Sequence, residues 1–595
     1  MSRTGAAGPV AVVGAGPVGM TAALFLARFG VAVVLLEAAE RPSGEGSRSI
    51  CIQRDVLELF ERVGCGREMA DRGVSWTLGR TYFRGTELFQ IRFPALGRDV
   101  FPPFVNLPQV TTEQILLDRV VGSDLVEVRR GHRVEGLEQD DRGVALALAT
   151  PSGPASLRAP YVVACDGPRS SVRRLLGVEF GGHSHHDRFL IADVRAKLPF
   201  PDERRFFFDP PFNPGRQVLV HPQPDDVWRI DWQVPGDVDV EEEAASGRLD
   251  RRVRAIVGDA PYELVWLSVY RFHQRVAARF RVGRVLLAGD AAHLMSPFGA
   301  RGLNSGVADA ENAAWKLWLV LAGRTPDRLL DTYHDERHAA AVHNLAVTDA
   351  TMRFMVPASP AARLLRDAVL RGSLRSRALR RYVDSGQLSQ PYVYAGSPIV
   401  PADRPSRAWA GRPGRRLRRL GRGRSSRAAP LPTPGAVAPD GPCAPAAPDG
   451  PCAPAAPPER AGRLRELFGA GFVGLYFPPG HDAARRFAER ALASTPGPPA
   501  RLYVVAAPGE PLPDLPPGVT ALVDTEGVLA ATYAPEPDAF YLVRPDGHLA
   551  VRRRHADGAD FAALVAAAAG GPPQGGGNVA SSPAAGVLGE GRVRR

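Results

Sequence analysis

The run Val10-Ala-Val-Val-Gly14-Ala-Gly16-Pro-Val-Gly19 constrains this chain more than any other segment. Apolar residues lead into glycines at 14, 16 and 19, then into an apolar stretch through Phe29 and a second strand-like run, Ala32 to Glu37. The spacing predicts strand, tight turn, helix and parallel strand. Gly14 permits the turn, Gly16 lets the backbone approach a pyrophosphate, and Gly19 lets helix and strand pack closely. The helix start, with Pro17 and Val18 in its first turn, offers free N–H groups and a positive dipole end to phosphates. Glu37 stands 23 residues after Gly14. A carboxylate there binds ribose hydroxyls and disfavours a 2′-phosphate, so the dinucleotide expected is FAD or NAD.

Two more strand-to-turn transitions follow. Tyr161-Val-Val-Ala-Cys-Asp166-Gly167-Pro-Arg-Ser170 brings an acid and a glycine into a turn, with Ser170 placed to cap the next helix. Read alone, it is as readily a turn as a binding site. Arg284-Val-Leu-Leu-Ala-Gly289-Asp290-Ala-Ala-His293 ends an apolar strand on Gly-Asp, which puts the Asp290 carboxylate at the sheet edge where ligands bind. Ser296-Pro-Phe-Gly-Ala-Arg-Gly302-Leu-Asn304 then opens a helix with one apolar face: Val307, Ala310, Ala314, Leu317 and Leu321. A capping Asp would explain the carboxylate but not the glycines of this loop.

The length of 595 residues predicts two to four domains. Of the net charge of +11, ten units come from Arg404 to Arg427, which contains no acid, so a broad nucleic-acid face is not expected. Five scattered cysteines fit neither a disulfide framework nor a zinc site and point to a reducing, cytoplasmic location. No apolar run is long enough to span a membrane. Strand-like and helix-like segments alternate through 1–75, 106–177 and 276–390, the expected nucleotide-binding domain. The segments 76–105 and 178–275 carry alternating runs such as Val218–His221 and Trp228–Trp232, which predict an inserted antiparallel sheet. Residues 401–460 read as a flexible linker, Arg-rich and then Pro/Ala-rich, with a nine-residue direct repeat at Ala438–Ala446 and Ala447–Ala455. Pro at that density is expected to exclude helix and sheet. From 461 to 570 globular patterning returns, with a helical face at Leu464, Leu467 and Phe468, strands at Leu502–Val505 and Phe540–Val543, and a turn at Pro545–Gly547. The tail 571–595 reads as disordered.

In order and spacing, the three motifs resemble the class A flavoprotein monooxygenases, the p-hydroxybenzoate-hydroxylase-like aromatic hydroxylases, over about residues 8 to 385. Gly46-Ser-Arg48-Ser-Ile-Cys51 and Asn106-Leu-Pro-Gln109 resemble segments of phenolic-acid and polyketide hydroxylases. Residues 461–570, with Gly469-Ala-Gly-Phe472 and Tyr541 to Gly547, resemble the thioredoxin-like C-terminal domain of phenol-hydroxylase relatives; no cysteine follows Cys452, so a dithiol mechanism is excluded there. The resemblance implies an α/β, Rossmann-like FAD-binding domain with an inserted antiparallel-sheet substrate domain, FAD as cofactor, and NADH or NADPH as transient co-substrate. Gly14, Gly16 and Gly19 would cradle the pyrophosphate, Glu37 the adenosine ribose, and Asp290, beside Gly289, the ribityl chain. Asp166 and Gly167 would serve FAD and NAD(P)H. Pro297 would lie by the isoalloxazine, and N–H groups near Gly302, Leu303 and Asn304 would face its N1–C2=O edge. Arg48 is implied as a pyrophosphate or flavin contact and Gln109 as a ribityl or flavin contact. Asp55 and Arg301 depart from the pattern, since relatives often carry Arg at the first and Gly-Gln-Gly around the second. The implied reaction hydroxylates a phenol-like aromatic with O2 through a flavin C4a-hydroperoxide.

Substrate-pocket candidates on the inserted sheet are His221, Trp228, Arg229, Asp231 and Trp232, with Tyr270 and His273 near its return. Alternation puts Trp228, Ile230 and Trp232 on one face and Arg229 and Asp231 on the other, and one set must be core. No residue stands out as a catalytic base. Expected partners are a small phenolic aromatic and O2, with a homodimer admitted and neither nucleic acid nor metal. Two other classes compete. A dehydrogenase would use the first motif but has no need of Gly289-Asp290 or the glycine loop. A nucleotide- or nucleic-acid-binding protein would draw on the Arg404–Arg427 run.

Overall fold

The computed structural model describes residues 8–41, 49–93, 100–296, 299–357, 359–376, 378–379, 383, 391–400, 431–445, 462–493, 497–534 and 538–571. Arg48, Pro297, the Arg404–Arg427 run, the second repeat copy and all of the tail beyond Gly571 lie outside them. Among the described residues no helix is long and apolar enough to cross a membrane.

Val10–Val13 sits inside a six-stranded sheet ordered Arg281–Val282, Val285–Leu287, Val162–Ala164, Val10–Val13, Val33–Glu37 and Val126–Arg130. It is buried on both faces, which is why the run is apolar throughout. Its neighbours lie parallel, with Val13 opposite both Ala164 and Leu36, and Ala164 opposite Leu287. One register row therefore ends all three motifs. Gly14, Cys165 and Ala288 leave the sheet side by side, with Glu37 beside them.

A second sheet has eight strands, drawn from Leu78–Phe83, Thr86–Arg92, four strands between Phe180 and Val234, Glu263–Ala277 and the short His293–Leu294. Its two faces have different partners. Trp228, Ile230 and Trp232 pack with Leu190 and Val220 against Leu249, Val253 and Val257 of the helix Arg248–Val257. Trp228 is thus core packing, and its candidacy for the substrate pocket is withdrawn. The face bearing Leu219, Phe206, Phe189 and Phe272 is covered at one end by Met352, Met355 and Leu370. A further three-stranded antiparallel sheet, Arg133–Asp140, Gly143–Thr150 and Gly153–Ala159, was not singled out in the sequence.

The C-terminal sheet is mixed. Phe472–Phe477 runs parallel to Ala500–Ala506, joined to it through the helix His481–Leu492, and antiparallel to Ala539–Val543, which pairs in turn with Leu549–Arg554. Leu464 and Leu467 are buried as expected, but in a single 3-10 turn. The linker reading needs a larger correction. Ala444–Pro445 forms an edge strand against Leu522 and Val523, and Cys443 is 1% exposed in the C-terminal core. Prolines are tolerated there because an edge strand leaves one row of backbone groups without ladder duty.

Buried ions join this unit to the rest. Glu336 accepts hydrogen bonds from Arg544 Nη2 at 2.9 Å, Lys316 Nζ at 2.8 Å, Asn312 Nδ2 at 2.8 Å and Ser397 Oγ at 2.6 Å. Arg544 also bonds Asp546, which the turn Pro545–Gly547 presents. Burial lowers the Lys316 ammonium to about 8, against the pull of Glu336. Arg544→Met leaves Asp546 and part of Glu336 uncompensated, at a cost of about 3–5 kcal/mol. Urea unfolding followed by fluorescence should show an earlier midpoint, and an unchanged midpoint would remove the network's stabilising role.

Candidate cofactor and substrate site

The three motifs interlock through van der Waals contact. Gly14 has φ +99°, and a Cβ there would stand 2.5 Å from the Cys165 carbonyl oxygen; a Cβ on Gly19 would stand 1.8 Å from Gly14 O. Only glycine fits either place. Val18 fills the gap between the first and third motifs, since a Cβ on Gly289 or Gly306 would meet its methyls at 3.0 and 2.5 Å. Gly16 and Gly302 face open space instead, with no atom within 4 Å of an added Cβ. The helices Pro17–Arg28 and Arg301–Leu321 begin beside them, and neither start has a side-chain cap hydrogen bond among the described residues.

Carboxylates frame this space. Glu37 accepts from Ala15 N at 2.8 Å and Ala39 N at 2.9 Å, which holds it beside the glycine turn. Asp166 Oδ2 accepts from Ser171 Oγ and Val172 N, both at 3.1 Å, while its Oδ1 is buried with no hydrogen-bond partner among the described residues. Ser170 caps the following helix by accepting from Arg173 N at 2.9 Å. Asp290 is half-buried in the turn Gly289–Ala291. Open space over two glycines, two uncapped helix starts and an unsatisfied carboxylate oxygen fit a bound dinucleotide.

The glycine loop is held in a strained shape. Ala300 adopts φ +53°, a left-handed conformation that costs a non-glycine residue about 1–3 kcal/mol. The strand Cys51–Gln53 stitches it down: Gln53 N donates to Asn304 Oδ1 at 3.0 Å, Gln53 Nε2 to Gly299 O at 3.1 Å, and Asn304 Nδ2 to Cys51 O at 3.0 Å. The Asn304 side chain is thereby committed to the protein, leaving only backbone groups at 302–304 for a ligand. Gln109 Oε1 accepts from Ser49 N at 3.1 Å, so it secures the segment that follows Arg48. Arg301 folds back onto Asn344 and is 9% exposed. Asp55 is half-buried, and desolvation, with Glu58 nearby, raises its carboxyl to about 6.

Sequence reasoning missed the group beneath this site. Asp309 is fully buried on the helix Arg301–Leu321; its Oδ2 accepts from Gly289 N at 3.0 Å and contacts His293 Nε2 at 2.7 Å, and its Oδ1 accepts from Arg337 Nε at 2.6 Å. Burial pushes the Asp309 carboxyl up, and Arg337 and His293 outweigh it, holding the group below the usual range. An acid three residues from Gly306 in an apolar helix was the available signal.

The substrate-side candidates separate. His221, Arg229 and Asp231 lie on the face opposite the tryptophans, with Arg229 bonded to Asp193 at 2.8 Å through both Nε and Nη2. Tyr270 shares its face with Phe272, whereas His273 alternates away and bonds Ser184 at 2.7 Å. A groove of about 830 Å³ opens where Leu107, Pro108 and Thr111 meet Asp193, Gln223 and Trp266. This is the size of a small-molecule site.

Asp309→Asn weakens the grip on Gly289 without changing side-chain volume. We expect roughly tenfold weaker FAD binding in a fluorescence titration of apoprotein. Asp290→Ala should also lose flavin, with the thermal midpoint of the apoprotein unchanged. Full flavin content in both variants would sever this turn from cofactor binding.

The FAD binding domain family matches residues 8–348. A 3-(3-hydroxy-phenyl)propionate/3-hydroxycinnamic acid hydroxylase of Mycolicibacterium smegmatis is 31% identical over 408 residues, covering 66% of this chain and 70% of the relative. Among solved structures, the flavin-dependent monooxygenase PieE in complex with FAD and substrate aligns with TM-score 0.73 and 25% identity, over 95% of this chain and 99% of that one. Aklavinone-11 hydroxylase with FAD and aklavinone aligns with TM-score 0.69 and 26% identity, over 94% and 99%. The glycine turn, the Gly-Asp turn and the loop helix thus meet on one sheet edge in a chain that belongs to the FAD binding domain family, as one of its FAD-dependent aromatic monooxygenases.

Proposed function

We propose that this enzyme hydroxylates a phenol-like aromatic, consuming NAD(P)H and O2. The observation that carries the reading is the common register row: three motif ends open one space beside two uncapped helix starts, and the second sheet, whose face opposite the tryptophans bears His221, Arg229 and Asp231, meets the FAD-binding segments at the groove of Leu107, Pro108 and Asp193. The phenolic substrate of the mycobacterial relative and the aklavinone bound by the structural neighbour support an aromatic ring in that space.

Gly14, Gly16, Pro17, Val18 and Gly19 would hold the FAD pyrophosphate and Glu37 the adenosine ribose. Gln109, Asp166, Gly289 and Asp290 would take the middle of the cofactor, and the backbone at Gly302, Leu303 and Asn304 its ring. Bound FAD supplies the redox chemistry, accepting electrons from NAD(P)H and activating O2. The chain supplies the rest. N–H groups at the start of the helix Arg301–Leu321 would favour negative charge on a ring edge bound beside them. The two sheets and the loop Gly299–Asn304 orient the substrate and exclude water. The motif order also supports the division into FAD-binding segments 1–75, 106–177 and 276–390 and a substrate sheet at 76–105 and 178–275. For the C-terminal unit, a strand–helix–strand pair followed by an antiparallel hairpin and the helix Phe561–Ala568 supports a thioredoxin-like reading, with a structural role.

Turnover under 18O-labelled O2 tests the proposal. A phenol should accelerate NAD(P)H oxidation, and its product should gain one labelled oxygen. Label arriving from water, or substrate oxidation without O2, would place the enzyme among dehydrogenases.

A further inference from the structure

The inward face of the eight-stranded sheet holds ionisable groups that cofactor binding does not use. His221 pairs with Arg229 across neighbouring strands, and Asp231 pairs with Leu219, two residues from His221. His221 and Asp231 are therefore diagonal neighbours on one face, about 7–8 Å apart at the backbone. Arg229 is committed to Asp193 through two hydrogen bonds. The other two side chains are incomplete: His221 Nδ1 and Asp231 Oδ1 are buried with no hydrogen-bond partner among the described residues.

Burial first, then the charges of Arg204 and Arg229, hold the His221 imidazole well below its ordinary range and so neutral. Burial raises the Asp231 carboxyl to about 7; Asp193 adds to this, while Arg229 and Arg204 oppose it. Arg204 also acts electrostatically on Cys51, in the strand that stitches down the glycine loop. Asn106, the partner of Cys51 in that strand, donates to Pro222 O at 2.8 Å, next to His221, so the strand that carries His221 is joined to the strand that holds the glycine loop. Leaving a buried polar group unpaired costs about 1–3 kcal/mol, a cost with no structural return.

We propose that His221 and Asp231 together recognise one hydroxyl group of the aromatic substrate, which donates to one of these atoms and accepts from the other. The pair makes the free hydroxyl, rather than the ring alone, the feature the enzyme selects. A site built to bond a hydroxyl rejects an analogue lacking it by large factors, because its own polar atoms are then left unpaired. This rests on the phenol-hydroxylase reading and adds to it the residues that set selectivity.

The experiment begins with a panel of one-ring and fused-ring phenols, scored by NAD(P)H oxidation, and compares the best one with its O-methyl ether. Wild-type enzyme should bind the phenol at least about 100-fold more tightly than the ether. Asp231→Leu and His221→Phe should reduce that ratio to a few-fold with FAD content unchanged. Asp231→Leu should also leave the thermal midpoint unchanged or raise it, because it removes an unsatisfied buried group; a purely structural Asp231 would lower it. Affinity for the phenol should rise as the pH passes through about 7 in wild type, where the carboxylate form becomes populated, and stay flat in Asp231→Asn. If phenol and ether bind alike, or the variants discriminate as well as wild type, the recognition pair is overturned while the hydroxylase reading stands. If no phenol accelerates NAD(P)H oxidation, the hydroxylase reading itself falls.

Discussion

One buried carboxylate organises the cofactor end of this protein. Asp309 takes the backbone amide of Gly289, the ring of His293 and the guanidinium of Arg337 at once. Each contact fixes a different element: the Gly-Asp turn, the short strand entering the second sheet, and the helix Asp331–Met355. Arg337 passes the constraint on to Ser305 O at 3.1 Å and the Tyr394 hydroxyl at 2.7 Å. An ion this deep is tolerable because both carboxylate oxygens are hydrogen-bonded, Oδ1 by the Arg337 guanidinium and Oδ2 by Gly289 N and the His293 ring. The hub adds charge to the close packing of Gly14, Gly19, Gly289 and Gly306 that already holds the helix starts against the sheet.

The fold at this end was legible in the sequence because its constraints are local. A glycine needed at φ +99°, or against a carbonyl oxygen, announces itself wherever it occurs. Ser170 was readable as a cap for the same reason. What could not be read is pairing at a distance. Asp309 and Arg337 are 28 residues apart, and nothing local marks them as partners. Alternation on the strand Val227–Val234 defined two faces without saying which would be covered; the helix Arg248–Val257, further along the chain, decides it by burying Trp228 and Trp232. Burying the indoles leaves Arg229 and Asp231 to face the FAD-binding body.

The C-terminal unit illustrates the same limit with charge. Lys316 is one of two lysines in the chain and stands on an apolar helix, yet its partner Glu336 and the capping Arg544 come from segments 20 and more than 200 residues away. Ion pairs in such places are geometrically exacting and add less stability than apolar packing of equal volume. Their return is orientation. Trp315 packs edge-on against Phe472 at 6.2 Å beside them, and that apolar contact tolerates sliding where the ions do not.

The edge strand at Ala444–Pro445 belongs to the first of two identical nine-residue units. Asp440, which bonds Arg463 at 2.5 Å, and the buried Cys443 each have a counterpart nine residues on, at Asp449 and Cys452. Slipped copying of the gene that removes or adds one unit leaves a complete docking sequence behind and changes the length of the connection between Pro445 and Gly462, inside the C-terminal unit. A nine-residue step in either direction thus conserves the edge strand and the Asp440 and Cys443 positions, and the duplication confines such a change to the one connection that follows them.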